Sequence, residues 1–435
     1  MEWWHYLTII LGLLSVFFLS GLPVAFCFTL FNFIALFFWM GGVKAFTTLP
    51  LSAYTSVASF PLIAVPLFIL MGELLFRSGV MSIVLDAAGK WIGGFRGSLS
   101  FTAVAAGTLF GTMSGSGMSG VAVLGSTLAP EMRRRGYSKE MTLGPILGSG
   151  TLAMIIPPSI LAVVLGSLAN IDVAQLLISG VVPGVVIAAL YAVYIFFCSW
   201  LKPHLAPAYV IGNTSLGEKL IALLSILPVG IITLAIWGVI FFGIATPSEA
   251  AAMGVAGALV VIAIYRKLTW TILTRSVLDT TRITSMVFLI IMNAAAFGQI
   301  LAFTGISRKL VGFVVDYALP PLLVMIAMQA TLIVVGTFMD ELAMLLVTIP
   351  VYMPIVEALQ FDPVWFGLLI LINLEVATIS PPYGLALFVM KGVVPDATMG
   401  DVWRASLPYM LLGVIAMALV VTFPGLATWL PGLMR

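Results

Sequence analysis

Two consecutive prolines occur twice in this chain, at Pro157 and Pro158 and again at Pro381 and Pro382. Each pair sits in a small polar string, Ser149 to Ser159 (SGTLAMIIPPS) and Thr378 to Gly384 (TISPPYG). Proline lacks a backbone N–H and clashes with the carbonyl one turn earlier. Each pair therefore breaks a helix and releases carbonyl oxygens, near Ala153 and Met154 in one string and near Ala377 and Thr378 in the other. Upstream of each pair lies a second polar interruption. Gly111 and Thr112 lead to Ser114, Gly115, Ser116 and Gly117, and Gly336 and Thr337 lead to Met339, Asp340 and Glu341. Carbonyl and hydroxyl oxygens with few full charges are the hard ligands that a small alkali cation prefers. Half-helix N-termini offer partial positive charge to an anion. The chemistry expected is ligation, with one Na⁺ between tip and break in each half, hence two or more ions. Candidate Na⁺ ligands are Ser114, Gly115, Ser116, Gly150, Thr151 and Met154, then Gly336, Thr337, Asp340, Thr378 and Ser380. Candidates to meet the substrate are Ser116, Gly117, Thr151, Pro158, Glu341, Asn373 and Pro382.

The spacing makes these strings a repeat. The interval from Gly111 to the first proline pair matches that from Gly336 to the second within one residue, and the run from Gly72 to Gly79 (GELLFRSG) is echoed from Gly298 to Gly305 (GQILAFTG). Two related halves, each with hydrophobic stretches interrupted by Gly, Ser or Pro at corresponding places, point to a secondary transporter with its substrate site between repeats.

The positioning elements must be membrane helices. Apolar residues make up 62% of the chain and charged residues 8%, far from the roughly 25% charged of a soluble domain. There is room for about ten or more spans of about 20 residues, so the expected fold is all-α and polytopic, with the lipid bilayer as solvent. In the first half, spans are expected near 5 to 20, 24 to 40 and 61 to 76, with an interfacial arm near 44 to 58. A short-legged segment near 98 to 130, a broken span near 140 to 168 and a span near 176 to 200 follow. The second half repeats this with spans near 220 to 242, 248 to 265 and 284 to 304, an arm near 268 to 282, a short-legged segment near 320 to 358, a broken span near 363 to 390 and a last span near 406 to 430.

If the short-legged segments are re-entrant hairpins, the loops at 77 to 96, 131 to 140, 201 to 219, 266 to 282 and 391 to 404 share one side. They hold 15 of the 19 Lys and Arg residues, which makes that side cytoplasmic. Both termini are then periplasmic, with residues 133 to 139 inside and 307 to 309 outside. Each half has about five spans plus one hairpin, and the odd number inverts the second half against the first. The corresponding division is scaffold at 1–60, transport domain at 61–175, scaffold at 176–283, transport domain at 284–405 and a final span at 406–435. The net charge of +2 lies in short loops and gives no nucleic-acid signature. Cys27 and Cys198 fall in apolar runs and are expected to pack, and the apolar start is expected to be retained spans, not a signal peptide.

Asp340, Glu341, Glu375 and Glu249 are expensive in lipid and are expected to be functional or paired. Glu73 is expected to be structural, its repeat partner being Gln299, and the run Arg133 to Arg135 to be a topology anchor. Gly107, Gly111 and Gly115, four residues apart, also fit close helix packing. Gly117, Met118, Ser119 and Gly120 spell a membrane serine protease string. That chemistry needs a histidine within reach of the serine, and the only candidates are His5, near the N-terminus, and His204, in a loop.

At these residues the chain resembles the large membrane subunit of tripartite ATP-independent periplasmic (TRAP) transporters, along essentially its whole length. The resemblance rests on GTMSGSGMSGVAVLGSTLAPEMRRRGY (Gly111 to Tyr137), SGTLAMIIPPS, GTFMDELAMLLVTIPVYMP (Gly336 to Pro354) and NLEVATISPPYGLALFV (Asn373 to Val389), four motifs in order. It implies a bacterial inner-membrane location, an elevator mechanism, Na⁺ coupling, a small four-helix membrane partner, and a periplasmic binding protein that delivers an organic anion such as a C4-dicarboxylate or sialic acid. The usual hairpin has Ala after the Gly/Ser tip, where this chain has Met118 and Ser119. The nearest alternative is a stand-alone Na⁺-coupled anion transporter of the same broad architecture.

Overall fold

In lipid every backbone polar group must be satisfied internally, and only helices do this within one segment. The computed structural model, which describes residues 3–208 and 215–434, is accordingly helical, with one isolated β-bridge, Arg96 to Ala208, among the described residues. Part of the 201 to 219 loop and the outermost residues of both termini lie outside those described.

The first half opens with α1 (Trp3–Leu19), α2 (Val24–Trp39), a 3-10 turn at Gly42–Thr47 and the arm helix α3 (Thr48–Val57). A second 3-10 turn, Phe60–Ile63, leads into α4 (Ala64–Arg77) and then α5 (Val80–Ile92). α6 (Ser98–Ser114) and α7 (Gly117–Arg134) are the legs of the first hairpin, and α8 (Lys139–Thr151) and α9 (Ile160–Ala169) the halves of the first broken span. α10 (Val173–Ser179) and α11 (Val181–Leu201) complete this half. The second half runs α12 (Leu216–Phe241), α13 (Pro247–Ile264), α14 (Trp270–Thr304) and α15 (Ile306–Asp316). Its hairpin is α16 (Pro321–Gly336) with α17 (Glu341–Ala358), its broken span α18 (Pro363–Thr378) with α19 (Leu385–Val393), and α20 (Met399–Thr422) and the short α21 (Gly425–Thr428) end the chain.

Seven helical stretches among the described residues are long and apolar enough to cross a membrane. Five further apolar helices among them are shorter than the about 20 residues a full crossing needs: α1 and α2 have 17 and 16 residues, whereas α9 with 10 and α16 and α18 with 16 each are a hairpin leg or halves of broken spans.

The second arm does not exist as a separate element. Segments 268 to 282 and 284 to 304 form one 35-residue helix, α14, about 52 Å long at 1.5 Å per residue. The first arm is set off from its span by Pro61 in the turn at Phe60–Ile63, whereas α14 contains no proline and nothing stops its hydrogen-bond ladder. Segments expected as loops after Arg77 and after Thr304 contain α5 and α15. Each begins after a glycine in the left-handed region, Gly79 at φ 67° and Gly305 at φ 73°, where a Cβ would be strained.

Two cores hold the molecule together. The larger runs from α4 to α21. The smaller joins α1 and α2 to α14 through Phe28, Phe31 and Phe297, with Phe28 and Phe31 edge-on to Phe297 at 5.4 and 5.7 Å between ring centres. Within it Asn32 donates to the Asn293 carbonyl at 3.0 Å, and Asn293 donates to Thr29 Oγ1 at 2.9 Å. In lipid such buried amides find their partners within the bundle, in other amides, hydroxyls and backbone carbonyls. Glu249 takes a different role from that expected: it is exposed and caps α13, its carboxylate accepting from Thr246 N–H at 2.8 Å. Glu73 accepts from Arg77 Nε at 2.9 Å, and Arg77 also pairs with Asp279 of α14, which ties α4 to α14.

Candidate functional site

The first tip is built by α6 ending at Ser114, Gly115 turning the chain at φ 60°, and Ser116 resuming in extended conformation to cap α7. Ser116 Oγ accepts from Ser119 N–H at 3.5 Å and from Ser119 Oγ at 3.2 Å, and Ser114 Oγ accepts from Ser116 N–H at 3.4 Å. The departure at Ser119 therefore adds a hydroxyl directly to the tip.

The tip rests on the first break at backbone distance. A Cβ on Gly115 would lie 2.8 Å from the Pro158 carbonyl oxygen, and one on Gly117 would lie 2.6 Å from Met154 Cε and 3.2 Å from Thr151 Cα. Farther along, a Cβ on Gly150 would lie 2.7 Å from the amide nitrogen of Val121. The small residues thus do both things expected of them: they pack closely, and that packing brings Ser114, Gly115, Ser116, Gly117, Gly150, Thr151, Met154 and Pro158 to one place.

One expectation about the break needs correcting. The Met154 carbonyl is not free, since Ser159 Oγ donates to it at 2.6 Å, and Ser159 in turn caps α9. The Pro157 carbonyl accepts from Trp237 Nε1 of α12 at 2.8 Å. Thr151, fully buried, lies 3.0 Å from the Gly148 carbonyl and 3.4 Å from Glu375 Oε1.

The second tip has the same parts with a different chemistry. α16 ends at Gly336, where a Cβ would meet Met344 Sδ at 2.8 Å and also Ala377. Asp340 caps α17, its Oδ1 accepting from Ala343 N–H at 2.9 Å, and Glu341 occupies the first helical position. In the break, Thr378 Oγ1 donates to the Glu375 carbonyl at 2.8 Å and Ser380 Oγ to the Val376 carbonyl at 2.7 Å, while Thr337 Oγ1 donates to the Val334 carbonyl at 2.7 Å. A hydroxyl whose proton is engaged this way keeps its lone pairs available to a cation. The two breaks differ in exposure. Pro157 and Pro158 are buried, whereas Pro382 and Tyr383 are exposed, Tyr383 lying 5.5 Å from Phe338 of the tip. Both proline–proline peptide bonds are cis.

Asn373 lies away from solvent. It is fully buried, and its Nδ2 donates to the carbonyl and to Oε1 of Gln329, both at 2.8 Å, so in this conformation it ties α18 to α16. Gln329, Trp237 and Tyr191, which donates to Glu375 Oε1 at 2.7 Å, carry no motif and could not be found from the sequence. A cavity of about 70 Å³ beside the first tip is lined by Glu73, Ser114, Ser116 and Ser119. A larger cleft of about 620 Å³ lies among α3, α9, α14 and α17, with Ser59, Ser167, Asn170 and Glu357 on its walls.

The chain matches the family model described as Tripartite ATP-independent periplasmic transporter, DctM component, over residues 11–426. It is 31% identical over 385 residues to the C4-dicarboxylate TRAP transporter large permease protein DctM of Pseudomonas aeruginosa, covering 88% of this chain and 89% of that protein. It is 30% identical over 425 residues to the ectoine TRAP transporter large permease protein TeaC of Halomonas elongata, covering 97% and 98%. Among solved structures, the YdaH transporter of Alcanivorax borkumensis shares its fold with a TM-score of 0.65 over 91% of each chain, at 14% identity. A chain with two hairpins, two broken spans and a match of this length belongs to the tripartite ATP-independent periplasmic transporter family, as its large permease, the DctM component.

Proposed function

We propose that this permease imports an organic anion, a carboxylate such as a C4-dicarboxylate or sialic acid, across the bacterial inner membrane, driven by two or more Na⁺ ions. A periplasmic binding protein delivers the substrate, and a small four-helix membrane subunit docks on the scaffold. The observation that carries this reading is the twofold recurrence of one module: a hairpin tip seated on a broken span, rich in hydroxyls and carbonyls. The first module gathers Ser114, Ser116 and Thr151, and the second carries Thr337, Thr378 and Ser380 on its tip and break. Neutral oxygens of this kind suit Na⁺, and the N-termini of α7, α9, α17 and α19 offer partial positive charge to a carboxylate. Each hairpin with its broken span moves as one body against the scaffold, which is the elevator motion.

Reconstitution with the small subunit and the loaded binding protein tests this. Uptake should require a Na⁺ gradient, rise more steeply than first order in Na⁺, and stop without the binding protein. Equal uptake with K⁺ replacing Na⁺ and no proton gradient would refute the coupling. Uptake of free substrate at the same rate without the binding protein would favour the stand-alone transporter.

A further inference from the structure

The start of α8, the end of α11 and the start of α20 meet at one end of the bundle, the end that carries the Lys- and Arg-rich loops. They are tied there directly. Ser138 N–H donates to the Leu205 carbonyl at 2.9 Å, and Lys139 Nζ donates to Asp401 Oδ2 at 2.6 Å. Between them lies a cavity of about 410 Å³. Tyr194 and Tyr409, whose rings meet edge-on at 5.5 Å between centres, give it an aromatic wall. Three charged side chains also line it: Glu140 of α8, Lys202 at the end of α11 and Arg404 of α20.

Those three charges are unpaired. Among the described residues none of them takes part in an ion pair, although the adjacent Lys139 and the nearby Asp401 find each other. Two cations and one carboxylate around a single cavity, too far apart to pair, are spaced for a ligand that carries both a negative and a positive group.

Depth identifies the class of ligand. Lys202 directly follows α11, and Arg404 stands in the second turn of α20. Trp200 and Trp403, exposed beside them, are the residues expected at the level of lipid headgroups. Deeper along the same two helices Val193 and Phe197 of α11 and Leu407 and Leu411 of α20 are exposed. Arg404, Pro408 and Leu411 follow one another on one face of α20 at helical spacing, so that face runs from the cavity into the apolar zone. Basic pockets between membrane helices receive phospholipid headgroups.

We propose that this cavity binds one phosphatidylethanolamine molecule, its phosphodiester between Lys202 and Arg404, its ammonium against Glu140 and its acyl chains along the exposed faces of α11 and α20. A phosphatidylglycerol headgroup would satisfy the two cations and leave Glu140 without a partner. Free phosphate would lack both the ammonium and the chains. The bound lipid joins the first broken span, through α8, to α11 and α20.

Native mass spectrometry of the complete transporter, delipidated and then supplied with defined lipid, tests this without reading uptake. Offered equal phosphatidylethanolamine and phosphatidylglycerol, the wild type should keep one phosphatidylethanolamine per large permease after the loosely held shell is stripped. Lys202→Ala and Arg404→Ala should each weaken that retention about five-fold. Glu140→Gln should abolish the preference, so that the two lipids are kept equally. Inorganic phosphate at millimolar concentration should neither displace the lipid nor raise the thermal midpoint of the delipidated complex. Unchanged retention in the Lys202 and Arg404 variants would overturn the proposal by placing the lipid elsewhere. A wild type that keeps phosphatidylglycerol as well or better, or a preference that survives Glu140→Gln, would overturn the ethanolamine assignment. Phosphate acting as well as the lipid would make this a site for the free anion. All three side chains are exposed, and if one variant fails to assemble the other two decide. Failure of Na⁺-driven uptake would leave these readings intact.

Discussion

The indole Nε1 of Trp237 donates a 2.8 Å hydrogen bond to the carbonyl of Pro157, joining α12 to the first break across 80 positions of sequence. Under the elevator reading α12 belongs to the scaffold and the break to the moving body. This bond then exists in one end state and must be given up in the other.

Trp237→Phe removes the donor and keeps most of the ring. A single neutral hydrogen bond contributes about 1 kcal/mol, which is about a five-fold shift in the balance between end states. The expected outcome is a comparable change in the rate at which an impermeant thiol reagent labels Ser116→Cys. An unchanged rate would mean that the bond does not distinguish the states.

Close approach at Gly150 gives a prediction about stability. A Cβ there would lie 2.7 Å from the amide nitrogen and 3.0 Å from the Cα of Val121, and backbone cannot move aside as a flexible side chain can. Gly150→Ala should cost about 1–3 kcal/mol by overpacking, read as a lower thermal midpoint of the detergent-solubilised complex. Gly230→Ala, inside α12 where nothing lies within 4 Å of the added Cβ, should leave the midpoint no lower and raise it by the helix-propensity gain of about 0.5–1 kcal/mol. Equal midpoints for the two variants would remove the argument that glycine seats the hairpin on the break.

The hairpins and breaks were legible in the sequence because their signals are local: the adjacent pairs Pro157–Pro158 and Pro381–Pro382 remove consecutive donors and end a helix, whereas single prolines such as Pro145 and Pro354 stay inside one, and Gly115 turns a tip at φ 60°. The first arm was legible for the same reason, through Pro61. The second arm was misjudged because Arg275, Asp279 and Arg282 look like a loop, yet α14 runs through them and uses Asp279 to bind Arg77 of α4. α5 was hidden in a charged segment whose apolar residues, Val80, Val84 and Ala88 among them, fall on one buried face. The tip and break residues could be named from type and spacing. Their long-range partners could not. Tyr191 and Glu375 are 184 positions apart, Asn373 and Gln329 are 44 apart, and no local pattern marks either pair.

Orientation follows from the distribution of charge. Lys309 on α15 and Arg134 at the end of α7 are both exposed, and on the positive-inside rule we propose that the side holding the Lys- and Arg-rich loops, with Arg134, is the cytoplasmic one. In intact spheroplasts an impermeant maleimide should label Lys309→Cys at once and Arg134→Cys only after lysis. The opposite order would reverse the topology, and labelling of both before lysis would place the two loops on one side and remove the inverted repeat.

Motion is tested at the cleft of about 620 Å³. Ser59, after the arm helix, and Ser167, near the end of α9, both line it, and the elevator reading assigns them to the fixed and moving bodies respectively. If the bodies slide past each other, their separation must change during each cycle. A bifunctional thiol reagent joining Ser59→Cys to Ser167→Cys should therefore abolish uptake while the binding protein still docks in at least one state. Joining Ser116→Cys to Thr151→Cys, within one body, should close the site without stopping the slide, so that reagent access to the break still alternates. Full uptake with Ser59→Cys and Ser167→Cys covalently joined would exclude sliding along this face, and the hairpins themselves would then have to open.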